Sequence, residues 1–229
     1  MNYIELLEKE FIKIKHPITG KTVKLYRTMS SKAFQISVPV GGESNKESST
    51  ILEETLDIPR YHLGGYVQSL DNIDASSPVW IDNEAKVFDS AIIKNGSYIA
   101  DKAMVFGNAV IDNSSVTNFA KVHMEAYIEN SWIANMTTVK DTAVVKSSKV
   151  LNYSMVYNMA SITDVLVMGG SYINGTAEVT KSILRDYSMI GGSSKVTNVT
   201  LSERASIVND SVADKELSVD PKLGIERSE

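Results

Sequence analysis

One column of side chains fixes what this chain can fold into. A Val, Ile or Leu recurs at Ile81, Val87, Ile93, Ile99, Val105, Ile111, Val116, Val122, Ile128, Ile133, Val139, Val145, Val150, Val156, Ile162, Val167, Ile173, Val179, Leu184, Ile190, Val196, Leu201, Ile207 and Val212, which is 24 positions without an exception. The steps are six residues as far as Ile111 and then run 5, 6, 6, so the chain returns to an equivalent place every 18 residues at first and every 17 afterwards. Only the final step, Ile207 to Val212, breaks the order. Self-similarity sustained at such a period is the signature of a solenoid. Neither the period of an α-helix nor the simple alternation of a strand produces it.

Two companion columns give each turn of the solenoid its shape. Two residues before the last 23 apolar positions stands Ala, Ser or Thr in 20 cases, with Val165, Val199 and Asp210 as exceptions. Two residues after the first 23 stands Asn, Asp or Gly in 19 cases. A branched side chain suits the pleated interior of a strand. A small residue suits a place where the chain bends inward, and Asn, Asp or Gly tolerates the left-handed backbone of a corner. Three short strands and three corners per turn predict a mainly β protein built as a triangular parallel β-helix, with a left-handed coil preferred and about seven to eight coils. At a strand spacing of about 4.8 Å the prism is on the order of 36 Å long. Its core is continuous, and its stability is close to a sum over neighbouring coils.

Residues 1–75 read as a small α+β module that caps the helix, residues 76–212 as the helix, and residues 213–229, charged and containing Pro221, as a tail covering the far end. In the module, Tyr3, Leu6 and Leu7 fall at helical spacing and predict a short helix over residues 2–10. Phe11, Ile12 and Ile14, then Val23, Leu25 and Tyr26, flank the breaker-rich HPITGK and predict a hairpin. Phe34 to Val40 reads as an edge strand, and residues 41–60 as a loop with one short helical piece. Composition adds exclusions. A net charge of −5 argues against a nucleic-acid partner. The absence of Cys removes disulfides and thiolate chemistry, and no stretch approaches the apolar length of a membrane span. The expected location is the cytoplasm.

The apolar position followed four residues later by Ala, Ser or Thr resembles the hexapeptide repeat of left-handed β-helices. A second resemblance rests on GKTVKLYRT, then LGGYVQSLDNI at 63–73, then VWIDNEAKVFDSAIIKNGSYI, with FGNAVIDNSSV at 106–116 close to a GNAxVxG run. These segments are similar to the hexapeptide-repeat proteins of phages and prophages, the YdcK-like family, over most of the chain from about residue 20 to residue 212. Corner glycines are mostly lost and the coils shorten to 17 residues; the right-handed bactofilin-type polymer-forming domains have similar coil lengths, so both hands stay open. The resemblance implies a fold and no particular activity.

Enzymes with such repeats use a His as general base, and His123 is the one His within the coils, placed to point outward above Phe88 and Phe106. An acyltransferase using His123 is therefore one reading, although no inserted loop interrupts the register to hold an acceptor. The carbonic anhydrases with such repeats need three histidine ligands for zinc, and the chain offers only His16, His62 and His123, two of them outside the coils. No metal and no cofactor is expected. The outward residue preceding each core position forms one ladder per face. One reads Ile92, Val110, Tyr127, Val144 before turning polar; a second reads Trp80, Tyr98, Ser115, Trp132, Lys149, Leu166, Ile183; a third ends Met155, Tyr172, Met189. Stacked apolar side chains on an outer face mark interfaces. The favoured reading is a non-enzymatic binding and assembly protein that self-associates and takes a host protein as a further partner, inhibiting a host defence component in the manner of an anti-CRISPR. Self-polymerisation through the coil ends is the other alternative.

Overall fold

The computed structural model describes residues 3–40, 48–74 and 76–213. It is a parallel β-helix of about nine turns with three sheets as its faces. The first face is an eleven-stranded sheet that runs out to Ser206–Val208, and the second and third hold eight strands each. Pairing is in register on every face: Val105 lies beside Val87 and Val122, Ile111 beside Ile93 and Ile128, and Val116 beside Ile99 and Ile133. From Ile81 to Leu201 every member of the 24-residue column is buried, at 0 to 1% exposure. The coil number exceeds the expected seven to eight because the helix starts earlier. The strand β5 (Leu63–Val67) already pairs in parallel with Lys86–Val87, and Ile73 bridges Ile93. A longer step from Ile73 to Ile81, carrying Ser76, Ser77 and Pro78, hides this first turn from a search for steps of five or six.

The N-terminal strands continue the first face. β1 (Ile4–Lys15) and β2 (Thr22–Ser30) form an antiparallel hairpin, and β2 pairs antiparallel with β5. The HPITGK turn falls where expected, closed by His16 N–H donating to the Lys21 carbonyl at 2.8 Å. The helix expected over residues 2–10 does not form: Ile4 to Leu7 lie in β1, opposite Ser30 to Arg27. Pairing with β2 overrides local propensity. A register shift follows between Leu7 and Phe11, beyond the residues whose spacing imitates a helical period. The expected edge strand is β3 (Phe34–Val40), but its partner is β4 (Leu52–Ile58), where a helical piece was expected. Residues 41–47, part of the expected loop, and the tail from residue 214 lie outside the described residues.

The LGGY junction has a steric cause. A Cβ on Gly64 would strike the Thr28 hydroxyl and come within 2.5 Å of the Ile81 carbonyl, and one on Gly65 would come within 2.7 Å of the Ala85 carbonyl. Only glycine lets β5 sit this close to the next turn.

Corners explain the alternating steps. The five-residue step turns from the second face to the third and holds a ladder of buried serines. Ser131 Oγ donates to the Glu129 carbonyl at 2.6 Å and accepts the Ser148 N–H at 3.1 Å, and Ser114 and Ser148 repeat the arrangement one coil before and one coil after. The corner from the third face to the first is wider, with two successive residues at positive φ in each of six coils, from Asn118 and Phe119 to Glu203 and Arg204.

Candidate functional site

His123 stands where expected, above Phe88 and Phe106. The rings stack, with centroids 4.9 Å apart for Phe88 and Phe106 and 4.7 Å for Phe106 and His123, their planes nearly parallel in both pairs. It points outward as expected but is only partly open to solvent. The ring is half-buried, its Nδ1 has no hydrogen-bond partner among the described residues, and burial, helped by Lys140, holds its pKa below the ordinary value of 6.5. A general base needs an open approach to the proton it takes and a group that orients it. Here the ring lies flat on a phenyl face instead.

The hairpin tip closes over the same stack. His16 meets Phe88 and Phe106 edge-on at 5.6 and 5.5 Å. Its Nδ1 accepts the N–H groups of Ile18 and Thr19, both at 3.1 Å, which puts the proton on Nε2, and Nε2 donates to Asp89 at 2.9 Å. The same Asp89 oxygen accepts Gly107 N–H at 3.0 Å. With Leu25 buried beside them, these residues fasten the hairpin to the coils. A groove beside it, lined by His16, Tyr26, Gln68 and Asp89, is wide open. His62 sits elsewhere, 3.6 Å from Asp82. Among the described residues no group of three or more His, Asp or Glu could hold a metal ion, and no helix is long and apolar enough to cross a membrane.

The three outward ladders meet different fates. On the third face Trp80 and Leu166 are fully buried, as are Ser115 and Lys149. Phe34 of β3 packs edge-on to Trp80 at 6.0 Å, and Tyr98, half-buried, donates its hydroxyl to Asp82 at 3.1 Å, with burial and Asp82 together raising its pKa. Trp132 and Ile183 are half-buried around Leu166, Ala134 and Leu151. Of the expected interface residues Tyr98, Trp132, Leu166 and Ile183, only Leu166 is sealed; the other three are half-buried, like the residues of the second-face ladder. On the second face Ile92 is 38% exposed and Val110, Tyr127 and Val144 are half-buried in one line. Beside them run Lys94 with Asp112 at 3.0 Å and Lys146 with Glu129 at 2.9 Å, and Tyr127 donates its hydroxyl to Asp112. On the first face Met155 is exposed and Tyr172 and Met189 are half-buried, beyond the reach of the hairpin cluster.

The most exposed apolar side chains lie in none of the three ladders. The wide corner between the third and first faces carries Phe119, Met136, Tyr153 and Tyr187, exposed by 53, 53, 67 and 65%. Each is a non-glycine residue at positive φ, between 61° and 65°. A left-handed backbone costs such residues about 1–2 kcal/mol apiece. Gly169 and Gly170 fill the same two places one coil above Tyr153, so the corner accepts the cheaper residue. The corner amides are satisfied, Tyr153 N–H donating to the Asn135 carbonyl and Tyr187 N–H to the Gly169 carbonyl. The signal was in the sequence at the third residue after each third-face core position; a reading confined to the residue before the core passes over it.

The chain matches no protein-family model and no curated protein.

Proposed function

We propose that this chain is a non-enzymatic binding and assembly module of the phage or prophage type, acting through protein–protein contacts on its outer surface, with a host defence component as a partner to be inhibited. The observation that carries this reading is that apolar side chains stay open along two lines of the prism: Ile92, Val110, Tyr127 and Val144 along the second face, and the corner ridge from Phe119 to Tyr187. Apolar side chains lined up over several coils gain from being covered, and Tyr and Met are types enriched where partners meet.

The test is light scattering of the purified protein together with affinity capture from host lysate, repeated with Val110→Lys and Tyr127→Lys. Assembly of the wild-type chain, or capture of a host protein that is lost in the variants, supports the reading. A monomer that captures nothing, together with acyl-CoA turnover abolished by His123→Ala, overturns it in favour of an acyltransferase. Mass growing without limit as concentration rises indicates polymerisation through the coil ends instead.

A further inference from the structure

We propose that the corner ridge is the seam along which two copies of this chain associate side by side, with their long axes parallel and each coil opposite the same coil of the second copy. The proposal rests on the assembly reading above and assigns it a surface and a geometry.

Three observations carry it. The first is strain without return. Phe119, Met136, Tyr153 and Tyr187 hold bulky side chains on left-handed backbone and leave more than half of each in solvent. Strain kept at one surface line over successive coils points to a use outside the single chain. The second is area. At about 200 Å2 for a large side chain, the exposed fractions of these four and the adjoining Met155 amount to roughly 500 Å2. Two ridges covered together then remove on the order of 1,000 Å2, the size at which specific interfaces begin. The ridge is also continuous across its glycine coil. A Cβ on Gly170 would lie 2.6 Å from the Tyr187 ring, so that ring bridges the gap towards Tyr153.

The third observation is charge, and it selects the orientation. Asp101 and Lys102 occupy the two corner places one coil below Phe119, and Glu203 and Arg204 occupy them one coil above Tyr187. Lys102 and Arg204 lie over the Phe119 and Tyr187 rings at 5.3 and 5.9 Å. A two-fold axis parallel to the solenoid reverses the order around the corner while keeping each coil at its own level. Lys102 then faces the second copy's Asp101, and Arg204 its Glu203. The antiparallel alternative keeps the order and reverses the levels, so Lys102 faces Arg204 and Asp101 faces Glu203. Opposed like charges disfavour that packing.

The chain has no cysteine, so single introduced thiols report the geometry directly. Met136→Cys and Tyr187→Cys, each oxidised alone, are expected to form disulfide-linked dimers. If neither links alone while a mixture of Phe119→Cys and Tyr187→Cys does, the seam is antiparallel and the proposal fails. In light scattering at about 50 μM, Tyr153→Glu with Tyr187→Glu is expected to turn dimer into monomer, weakening association by more than 100-fold, while Tyr127→Lys leaves the dimer intact. Circular dichroism checks that both variants keep the fold. An oligomer unchanged by the double substitution overturns the ridge and leaves the assembly reading standing. A wild-type monomer overturns the ridge, and the lysate capture then decides the broader reading separately.

Discussion

Replacing Ser131 by Ala separates two kinds of buried serine that the sequence places in the same small-residue column. Ser131 is fully buried, and its hydroxyl both donates to the Glu129 carbonyl and accepts the Ser148 N–H. The Glu129 carbonyl keeps a second donor, Ser147 N–H at 3.0 Å, but the Ser148 amide has no other acceptor among the described residues. Losing one hydrogen bond costs about 1 kcal/mol, and a buried donor left unpaired adds about 1–3, so Ser131→Ala is expected to cost about 2–4 kcal/mol. Ser154 is equally buried, yet its hydroxyl finds no partner among the described residues, so Ser154→Ala removes only an unsatisfied group and is expected to be neutral or slightly stabilising. For a chain of this size each kcal/mol moves Tm by about 2–4 °C, so calorimetry should show a fall of roughly 4–16 °C for Ser131→Ala and none for Ser154→Ala. Since solenoids depart from two-state unfolding, exchange of the Ser148 amide provides a local reading and should accelerate in the first variant alone. Equal losses in the two variants would refute the argument, because the serines would then act by size and not by hydrogen bonding.

Ile128→Ala, at a fully buried place in mid-helix, is expected to lower stability by about 2–5 kcal/mol, whereas Ile207→Ala, only half-buried in the last turn, should cost about 1 kcal/mol or less; denaturant unfolding followed by circular dichroism compares them. His123 has a pKa lowered from 6.5, so the unfolded chain binds its proton more readily. Its contribution to stability is therefore complete above pH 6.5 and declines as pH falls through the folded value, and His123→Phe should flatten the dependence of Tm on pH in that window. Gly65→Ala places a methyl 2.7 Å from both the Ala85 carbonyl and Ile81 Cγ2, and should destabilise by about 1–3 kcal/mol, with faster hydrogen exchange in β1 and β2 but not in coils beyond residue 110.

The coils were legible because each inward place in a narrow prism makes a single demand. Only a branched aliphatic fills the strand and only a small residue fits the bend, so repetition multiplies a weak local preference into a strong pattern. The N-terminal strands lack that redundancy. Leu6 and Leu7 carry no mark of the register shift that follows them, and the pairing of β3 with β4 joins segments separated in the sequence by Gly41 to Ile51, a long-range choice that local propensity does not encode. The first coil escaped for the opposite reason: Val67 and Ile73 obey the column, but the longer step to Ile81 broke the count.

Outward residues carry no such constraint, so their fate depends on what packs against them. Trp80 and Tyr127 occupy the same place in the repeat, yet one is sealed beside Phe34 and the other lines an open strip. Position in the coil tells which way a side chain points; only the path of β3 tells which face is covered. The corner ridge differs again: it stands one place beyond the Asn, Asp or Gly column, on left-handed backbone that favours Asn or Gly, and Phe119, Met136, Tyr153 and Tyr187 are neither. A departure from the pattern that is exposed, costs backbone energy and recurs along one edge says more about function than any residue that satisfies the repeat. The residues that determine the fold and those that bear on its use are therefore separate sets in this chain: the first face inward and obey the apolar column, and the second stand on the outer strand positions and on a left-handed corner whose cost the single chain does not recover.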